Sequence, residues 1–330
     1  MKQFDFISIG DVTTDVFIRI EKANVHVDNP LDGEQLCVIN GAKIPYEFAK
    51  EIPAVGNSAN AAVSATRLGL STAFVSNVGD DPHGVDDIRA LKGEGVDTKF
   101  ITVHPGKTSN YHYVLWYKAD RTILIKHEAY EYVLPDIGEP KWVYVSSVGE
   151  NTLPYQARIV EYLQAHPSIK LAFQPGSFQI KVGYEALKGF YERADLFFCN
   201  VEEARLILKD AASEAAKLPA LVSARGPKIS VITDGPKGAY VFDGTHTHFM
   251  PPYPDPAPPY ERTGAGDAFA STFAAALALG LTVKEAMRWA PVNSMSVVQK
   301  IGAQEGLLTR KALEGWLAKA PAEYAPRVIA

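Results

Sequence analysis

The chain has 330 residues, 47% of them hydrophobic, enough to bury one large core without dividing into domains. Its formal net charge of -5 carries none of the bulk basicity of a nucleic-acid binder. Cys37 and Cys199 lie far apart and form no C-x-x-C pair, Met1-Lys2-Gln3-Phe4-Asp5 is unlike a signal peptide, and no apolar run is long enough to span a bilayer, so a cytoplasmic protein with no membrane partner is expected.

Residues 4–10 read as a buried strand ending in a glycine. Asp11 and Asp15 follow at its C-terminal end, the edge where open α/β sheets place their ligands. A dinucleotide fold needs G-x-G-x-x-G there, and only Gly10 is present, which counts against a nicotinamide enzyme. Short alternating runs at 16–20 and 35–38, and again within 109–126, look like strands outside the βαβ rhythm. They suggest a small β-sheet lid built from segments at about 14–40 and 107–127. The stretch 41–51 between them, with Lys43, Tyr46 and Phe48, reads as a pocket-lining segment or a surface loop.

Ala54-Val55-Gly56-Asn57-Ser58-Ala59-Asn60 opens a small-residue helix that runs to Leu68 and stops at Gly69. The amides of Asn57 and Asn60 suit sugar hydroxyls, to which they donate and from which they accept; Asn57 also suits an N-cap. A strand at 72–76, a loop and a helix at 82–92 follow. Pro105-Gly106-Lys107-Thr108 is not a phosphate-binding loop: Ile101 stands where the first glycine is needed, and the next residues alternate like a strand. From 142 onward, strands at 142–146, 170–173, 194–199, 229–233 and 238–242 alternate with helices such as 154–165. That rhythm argues for a mostly parallel sheet covered on both faces. His246 and His248 read as exposed strand residues with no third metal ligand nearby.

Arg262-Thr263-Gly264-Ala265-Gly266-Asp267 is a glycine turn running straight into a helix. Gly264 and Gly266 permit φ > 0 and close approach of backbone to a ligand. The helix start offers unpaired N–H groups and the positive end of a dipole, a natural anion site. Asp267 sits at its mouth, where a carboxylate accepts a proton from a hydroxyl. An anion cradle beside a general base is what phosphoryl transfer to an alcohol needs.

The Gly264-Ala265-Gly266-Asp267 core closely resembles the C-terminal signature of the ribokinase-like (PfkB) carbohydrate and nucleoside kinases. Supporting motifs occur in the same order along nearly the whole chain. Gly56, Asn57 and Asn60 resemble the family's N-terminal glycine motif, with Val55 in place of its first glycine. Gly79-Asp80-Asp81-Pro82-His83-Gly84 resembles G-x-D-x-x-G, Asn200 and Glu203 match N-x-x-E, and the loop from Thr233 through Gly235 to Gly238 matches T-x-G-x-x-G. The resemblance implies one ribokinase-like three-layer α/β/α domain over residues 1–330, with a mostly parallel central sheet. Its small β-sheet lid often serves the family as a dimer surface, so a homodimer through the lid is expected.

The resemblance also implies transfer of the γ-phosphoryl group of ATP to a hydroxyl of a small sugar or sugar-like acceptor, or of a nucleoside. Asp267 is then the general base, and the N–H groups of Gly264, Ala265 and Gly266 stabilise the transferring charge. Asp11, Asp15, Gly56, Asn57 and Asn60 fall to the acceptor; Asn200, Thr233, Gly235, Gly238 and Asn293 fall to ATP. Glu203 organises Mg²⁺ through water. Gln174 stands where relatives carry Asp or Asn, and Glu261-Arg262 where they carry Asp-Thr. The family's Asp at the Glu261 position helps build a monovalent-cation site, so activation by K⁺ is left open. For a nucleoside acceptor, the base would stack on Tyr46, Phe48, Tyr111, Tyr113 or Trp116. A non-catalytic sugar or nucleotide sensor is the reading from another class, and the intact Gly264–Asp267 core stands against it.

Overall fold

The computed structural model describes residues 3–21, 23–26, 35–118 and 120–329. Among them, ten strands form one sheet in the order Arg327–Val328, Thr247–Met250, Ala239–Phe242, Ile229–Thr233, Leu196–Asn200, Lys170–Phe173, Trp142–Val145, Phe6–Ile9, Thr72–Gly79, Asp97–His104. Neighbours are parallel from Ile229–Thr233 to Asp97–His104 and antiparallel on the other side of Ile229–Thr233.

Strand alternation divides the core in two, because successive side chains point to opposite faces. Phe6, Tyr144 and Ala172 join one cluster; Ile7, Ile9, Val143, Val145, Leu171 and Phe173 join the other. The first cluster is covered by helices Asn57–Arg67, Ala265–Ala278 and Val283–Val297, the second by Leu153–Ala165, Tyr184–Arg193 and Val201–Leu208. Small residues explain the close packing on the first face: Ala274, Ala275 and Ala276 are fully buried, so the helix carrying Asp267 lies flat against its neighbours. Each large apolar side chain buried in this way contributes about 1.5–3 kcal/mol. This is the three-layer α/β/α arrangement expected from the strand–helix rhythm.

A second sheet has the order Tyr46–Val55, Thr13–Ile20, Tyr111–Tyr117, Asp120–Leu124. Thr13–Ile20 is antiparallel to Tyr46–Val55 and parallel to Tyr111–Tyr117. The expected lid is therefore present, but its make-up differs. The stretch 41–51 is not a loop throughout, since Tyr46–Val55 is an edge strand. Its mixture of charged and apolar residues fits an edge with much of its length in water. The strands Asn24–His26 and Gln35–Cys37 pair only with each other, and residues 27–34 of the expected lid segment lie outside the described residues. Ala54 and Val55 end the lid strand, so the following helix begins at Asn57.

Asp195 ties the body strands together just before Leu196–Asn200, which delivers Asn200 to the cleft described below. It is buried and accepts from Leu171 N–H (3.0 Å), Lys228 Nζ (2.8 Å), Lys170 Nζ (3.3 Å) and Arg193 Nη1 (3.1 Å). Burial alone would raise its carboxyl, but the hydrogen bonds of Lys228 and Leu171 and the charges of Lys170 and Lys228 hold it below the ordinary carboxylate range. A depressed folded-state value means that this contribution is present above the unfolded value of about 4 and is lost as pH falls through the folded one. Asp195→Asn should therefore destabilise the protein by about 1–3 kcal/mol at pH 7, and by progressively less as the pH falls below 4, in urea titrations read by fluorescence.

Candidate active site

The lid and the carboxyl ends of the body strands enclose a cleft of about 480 Å³. Gly264 forms its floor. It is the N-cap of Ala265–Ala278 with φ 80° and ψ 0°, a left-handed conformation that suits glycine, and a Cβ there would lie 2.3 Å from the Ala303 Cβ. The same position on Gly266 faces open space, leaving the backbone accessible to a ligand. Glu261, fully buried, holds the turn: it accepts from Thr263 N–H (2.7 Å), Thr263 Oγ1 (2.6 Å) and Gly302 N–H (3.2 Å). The expected cation-site carboxylate is thus already engaged by three donors of the chain itself.

Asp267 follows in the first helical turn. Its Oδ2 accepts from Asn60 Nδ2 at 2.9 Å and its Oδ1 from Gln174 Nε2 at 3.1 Å. The outer atoms of both amides are fixed in turn. Tyr144 Oη donates to Gln174 Oε1, and Gln304 Nε2 donates to Asn60 Oδ1 at 2.9 Å, so both NH₂ groups face the carboxylate. Burial raises the Asp267 carboxyl above its ordinary value; Asn60, Gln174 and the charge of Arg121 oppose the rise, and Asp15 adds to it. Each carboxylate oxygen keeps a second acceptor position for an incoming hydroxyl.

On one side of Asp267 the cleft is lined by Asp15, Gly56, Asn57, Asn60, His112, Arg121 and His127. Asn57 is not the N-cap; Gly56 is, without a side-chain bond, which leaves the Asn57 amide to the cleft. Asp15 pairs with His112 at 3.2 Å. Asp11 lies behind this wall instead of lining it: its Oδ1 accepts from Tyr132 Oη (2.8 Å), and His127 Nδ1 approaches its Oδ2 at 3.4 Å. Among the described residues Asp11 thus accepts from Tyr132 and faces His127. The side chains expected to stack a base do not line the cleft either. Trp116 is buried in the lid, edge-on to Phe48 (6.0 Å) and Tyr260 (5.1 Å), and Tyr111 packs on His83 (4.5 Å) and Tyr113 (5.3 Å).

The other side is lined by Asn200, Glu203 and Thr233. Asn200 and Glu203 form a capping box at the start of Val201–Leu208, Asn200 Oδ1 accepting from Glu203 N–H (2.8 Å) and Glu203 Oε2 from Asn200 N–H (2.9 Å). The Glu203 carboxyl is raised by burial and by the charges of Asp267 and Glu202. Two carboxylates that disfavour each other's charge across one cleft suit a hard, hydrated divalent cation.

Three residues expected to meet ATP lie outside the cleft lining. Gly238 (φ 110°) is required by packing, because a Cβ there would lie 2.5 Å from the Met250 carbonyl, and Gly235 opens a short turn beside it. Asn293 is fully buried, donates to Thr272 Oγ1 and accepts from Leu308 N–H, both at 2.8 Å; it joins two helices to the chain that follows them. His248, expected at the surface, is buried and bonded to Asp243 at 2.7 Å. In the other direction, His112, His127, Arg121 and Tyr144 belong to the site or its support without any local motif to mark them, and Gln304 comes from the Gly302–Gly306 exit that resembles the family's ending. Gln174 was marked as a departure from the family pattern.

The pfkB family carbohydrate kinase pattern matches residues 51–310, and the chain belongs to that family. It is 27% identical to the ribokinase of Bacillus subtilis (strain 168) over 266 residues, 78% of this chain and 86% of that protein. The structure of Arabidopsis thaliana ribokinase complexed with ribose and ATP shares the fold, with TM-score 0.78 and 19% identity over 96% of this chain and 99% of that one. So does the nucleoside kinase of Methanocaldococcus jannaschii, with TM-score 0.77 and 17% identity over 97% of this chain and 100% of that one. No helix among the described residues is long and apolar enough to cross a membrane.

Two expectations follow from the geometry. Asn293→Ala should cost about 1–3 kcal/mol in denaturant unfolding while leaving ATP affinity of the folded protein unchanged, as measured by calorimetric titration. Gln174→Glu places a second carboxyl against Asp267, and should raise that carboxyl further and move the acid limb of the pH–rate profile upward.

Proposed function

We propose that this chain transfers the γ-phosphoryl group of ATP to a hydroxyl of a small sugar, with Asp267 as general base. The observation that carries the reading is the Asp267 carboxylate at a glycine-turn helix start, held by two amides within the cleft. The Bacillus relative is a ribokinase and the Arabidopsis neighbour binds ribose and ATP, in keeping with this reading.

The acceptor enters between Asp15, Asn57 and His112, whose donors and acceptors suit vicinal hydroxyls. Its reacting hydroxyl gives a proton to Asp267 while its oxygen forms a bond to the γ-phosphorus. The bond from that phosphorus to the β–γ bridging oxygen breaks, and ADP leaves with the bridging oxygen. The N–H groups of Gly264, Ala265 and Gly266 meet the charge on the transferring group, where fixed donors in a water-poor site act most strongly. Thr233 and Asn200 line the nucleotide side, and Glu203 would hold Mg²⁺ through water. The ion, when bound, neutralises phosphate charge. A sugar is favoured over a nucleoside because Trp116, Phe48, Tyr111 and Tyr113 pack within the lid, while Asp15, Asn57, His112 and Arg121 offer polar contacts in a cleft that Ile123, Ile125 and Phe178 also line. The exposed lid residues Tyr46, Tyr113 and Leu124 are the surface for the proposed homodimer, which sedimentation equilibrium would detect and which Leu124→Glu would dissociate.

Asp267→Asn should lower turnover by about 10²–10⁴-fold with the fold intact. The test is ADP release with ATP and Mg²⁺ across pentoses, hexoses, sugar acids, sugar phosphates and nucleosides. Only ionised Asp267 accepts a proton, so activity falls as pH drops, with a limb above the ordinary carboxylate range. Near-normal turnover in the folded variant would remove Asp267 from this role.

A further inference from the structure

The chain passes between body and lid near residues 10–13, 55–57, 108–111 and 124–128. At two of these crossings the backbone or side chain is held by one carboxylate from outside the cleft. Asp87, fully buried on helix Pro82–Gly93, uses a single oxygen, Oδ1, to accept from Thr14 Oγ1 at 2.9 Å and from Ala54 N–H at 2.6 Å. Thr14 precedes Asp15 on the strand leaving the body, and Ala54 ends the strand returning to it. Ala54 is a non-glycine residue at φ 61°, a conformation that side chains disfavour and that needs support from its surroundings.

That support continues towards the chemistry. The Ala54 carbonyl accepts from Gln304 Nε2 at 2.7 Å, and the same NH₂ group donates to Asn60 Oδ1 at 2.9 Å. Asn60 then donates to Asp267. Arg67, paired with Glu94, holds the Gln304 carbonyl at 2.7 Å and keeps that loop in place. An unbroken line of hydrogen bonds thus runs from Asp87 through the Ala54 peptide, Gln304 and Asn60 to the base, while a second branch reaches Asp15 through Thr14.

We propose that Asp87 is a positioning residue for the acceptor half of the site, fixing the 54–57 turn and the Asp15 strand and, through Gln304 and Asn60, the Asp267 carboxylate. The inference rests on the reading of the cleft as a phosphotransfer site. The remaining oxygen, Oδ2, is buried with no donor. Burial pushes this carboxyl up to about 6; the Ala54 N–H, the Thr14 hydroxyl and the charge of His83 oppose the rise, and Asp81 adds to it. The ionisable groups facing it are His83 and Asp81 at the start of its own helix and Tyr130 from the segment after the lid, with Glu51 of the lid strand paired to His83 at 3.6 Å. Below pH 6 the proton has a place at Oδ2, and Oδ1 becomes a neutral, weaker acceptor for both donors.

The test compares the full-length protein with Asp87→Asn, which keeps the shape and removes the charge, and with Thr14→Val, which removes one donor without touching the helix. Asp87→Asn should raise the acceptor KM about tenfold while changing the ATP KM by less than about twofold. Its acceptor kcat/KM should also lose the component of the acid decline centred near pH 6. Thr14→Val should raise the acceptor KM in the same direction and by less. Hydrogen exchange supplies a readout that needs no turnover: amides at 11–18 and 50–57 should exchange faster in both variants, and those at 196–203 should not. Unchanged exchange and an unchanged acceptor KM in Thr14→Val and Asp87→Asn would overturn the assignment. An equal rise of both KM values with faster exchange throughout would also overturn it, as the mark of general destabilisation. If the wild-type protein phosphorylates no acceptor, the kinase reading fails, and the exchange pattern alone decides the role of Asp87. Should Asp87→Asn not fold, Thr14→Val carries the same comparison.

Discussion

Asp267 receives its two hydrogen bonds from the neutral amides of Asn60 and Gln174, and this shapes much of the cleft around it. A salt-bridged carboxylate would be a poor base, because the paired cation holds its proton affinity down. A buried carboxylate without donors would remain protonated, since desolvation disfavours the charge. Two amides sit between these limits. They orient both oxygens and offset part of the desolvation while leaving the group basic. Neutral donors orient only if they are themselves oriented, which is why Tyr144 and Gln304 matter although neither is required to touch a substrate.

The same carboxylate brings together parts of the chain that fold by different local rules. Asn60 comes from the helix after the lid strand, Gln174 from the end of a parallel body strand, Tyr144 from the strand beside it, and Gln304 from the loop after the last long helix. Glu203 adds a like charge from a further strand end, so the carboxyl edge of the sheet gathers negative groups on both sides of the glycine turn. A site of that character favours cations and hydroxyl donors.

What the sequence made legible follows from how far each feature reaches along the chain. The glycine turn and Asp267 are local, and the parallel strands announce themselves as short apolar runs because both faces are buried. The strand Tyr46–Val55 was hidden by its own charges, which an edge strand tolerates and a loop also carries. The aromatic residues of the lid suggested stacking with a base, but aromatic strand residues serve equally as core, and Trp116 found its partners in Phe48 and Tyr260. The family resemblance of its helix points Asn293 towards the nucleotide, while its partners, Thr272 and the Leu308 N–H, come from other segments and are invisible to a local pattern. Gln174 was visible as an anomaly, yet its use depends on Tyr144 and Asp267, and no pattern within one segment connects the three.

The lid is woven from two parts of the chain, one carrying Thr13–Ile20 and Tyr46–Val55, the other Tyr111–Tyr117 and Asp120–Leu124, with the body elements from Asn57–Arg67 to Asp97–His104 threaded between them, and its central pairing joins Thr14 to Tyr111 in parallel. No single cut releases it, and no single insertion could have delivered it. A recombination event that exchanged one stretch would set a foreign edge against two resident strands and break their registers, which in a half-buried sheet turns every side chain to the wrong face. Acceptor preference in such an architecture is therefore open to change by substitution within the strands and closed to change by trading modules.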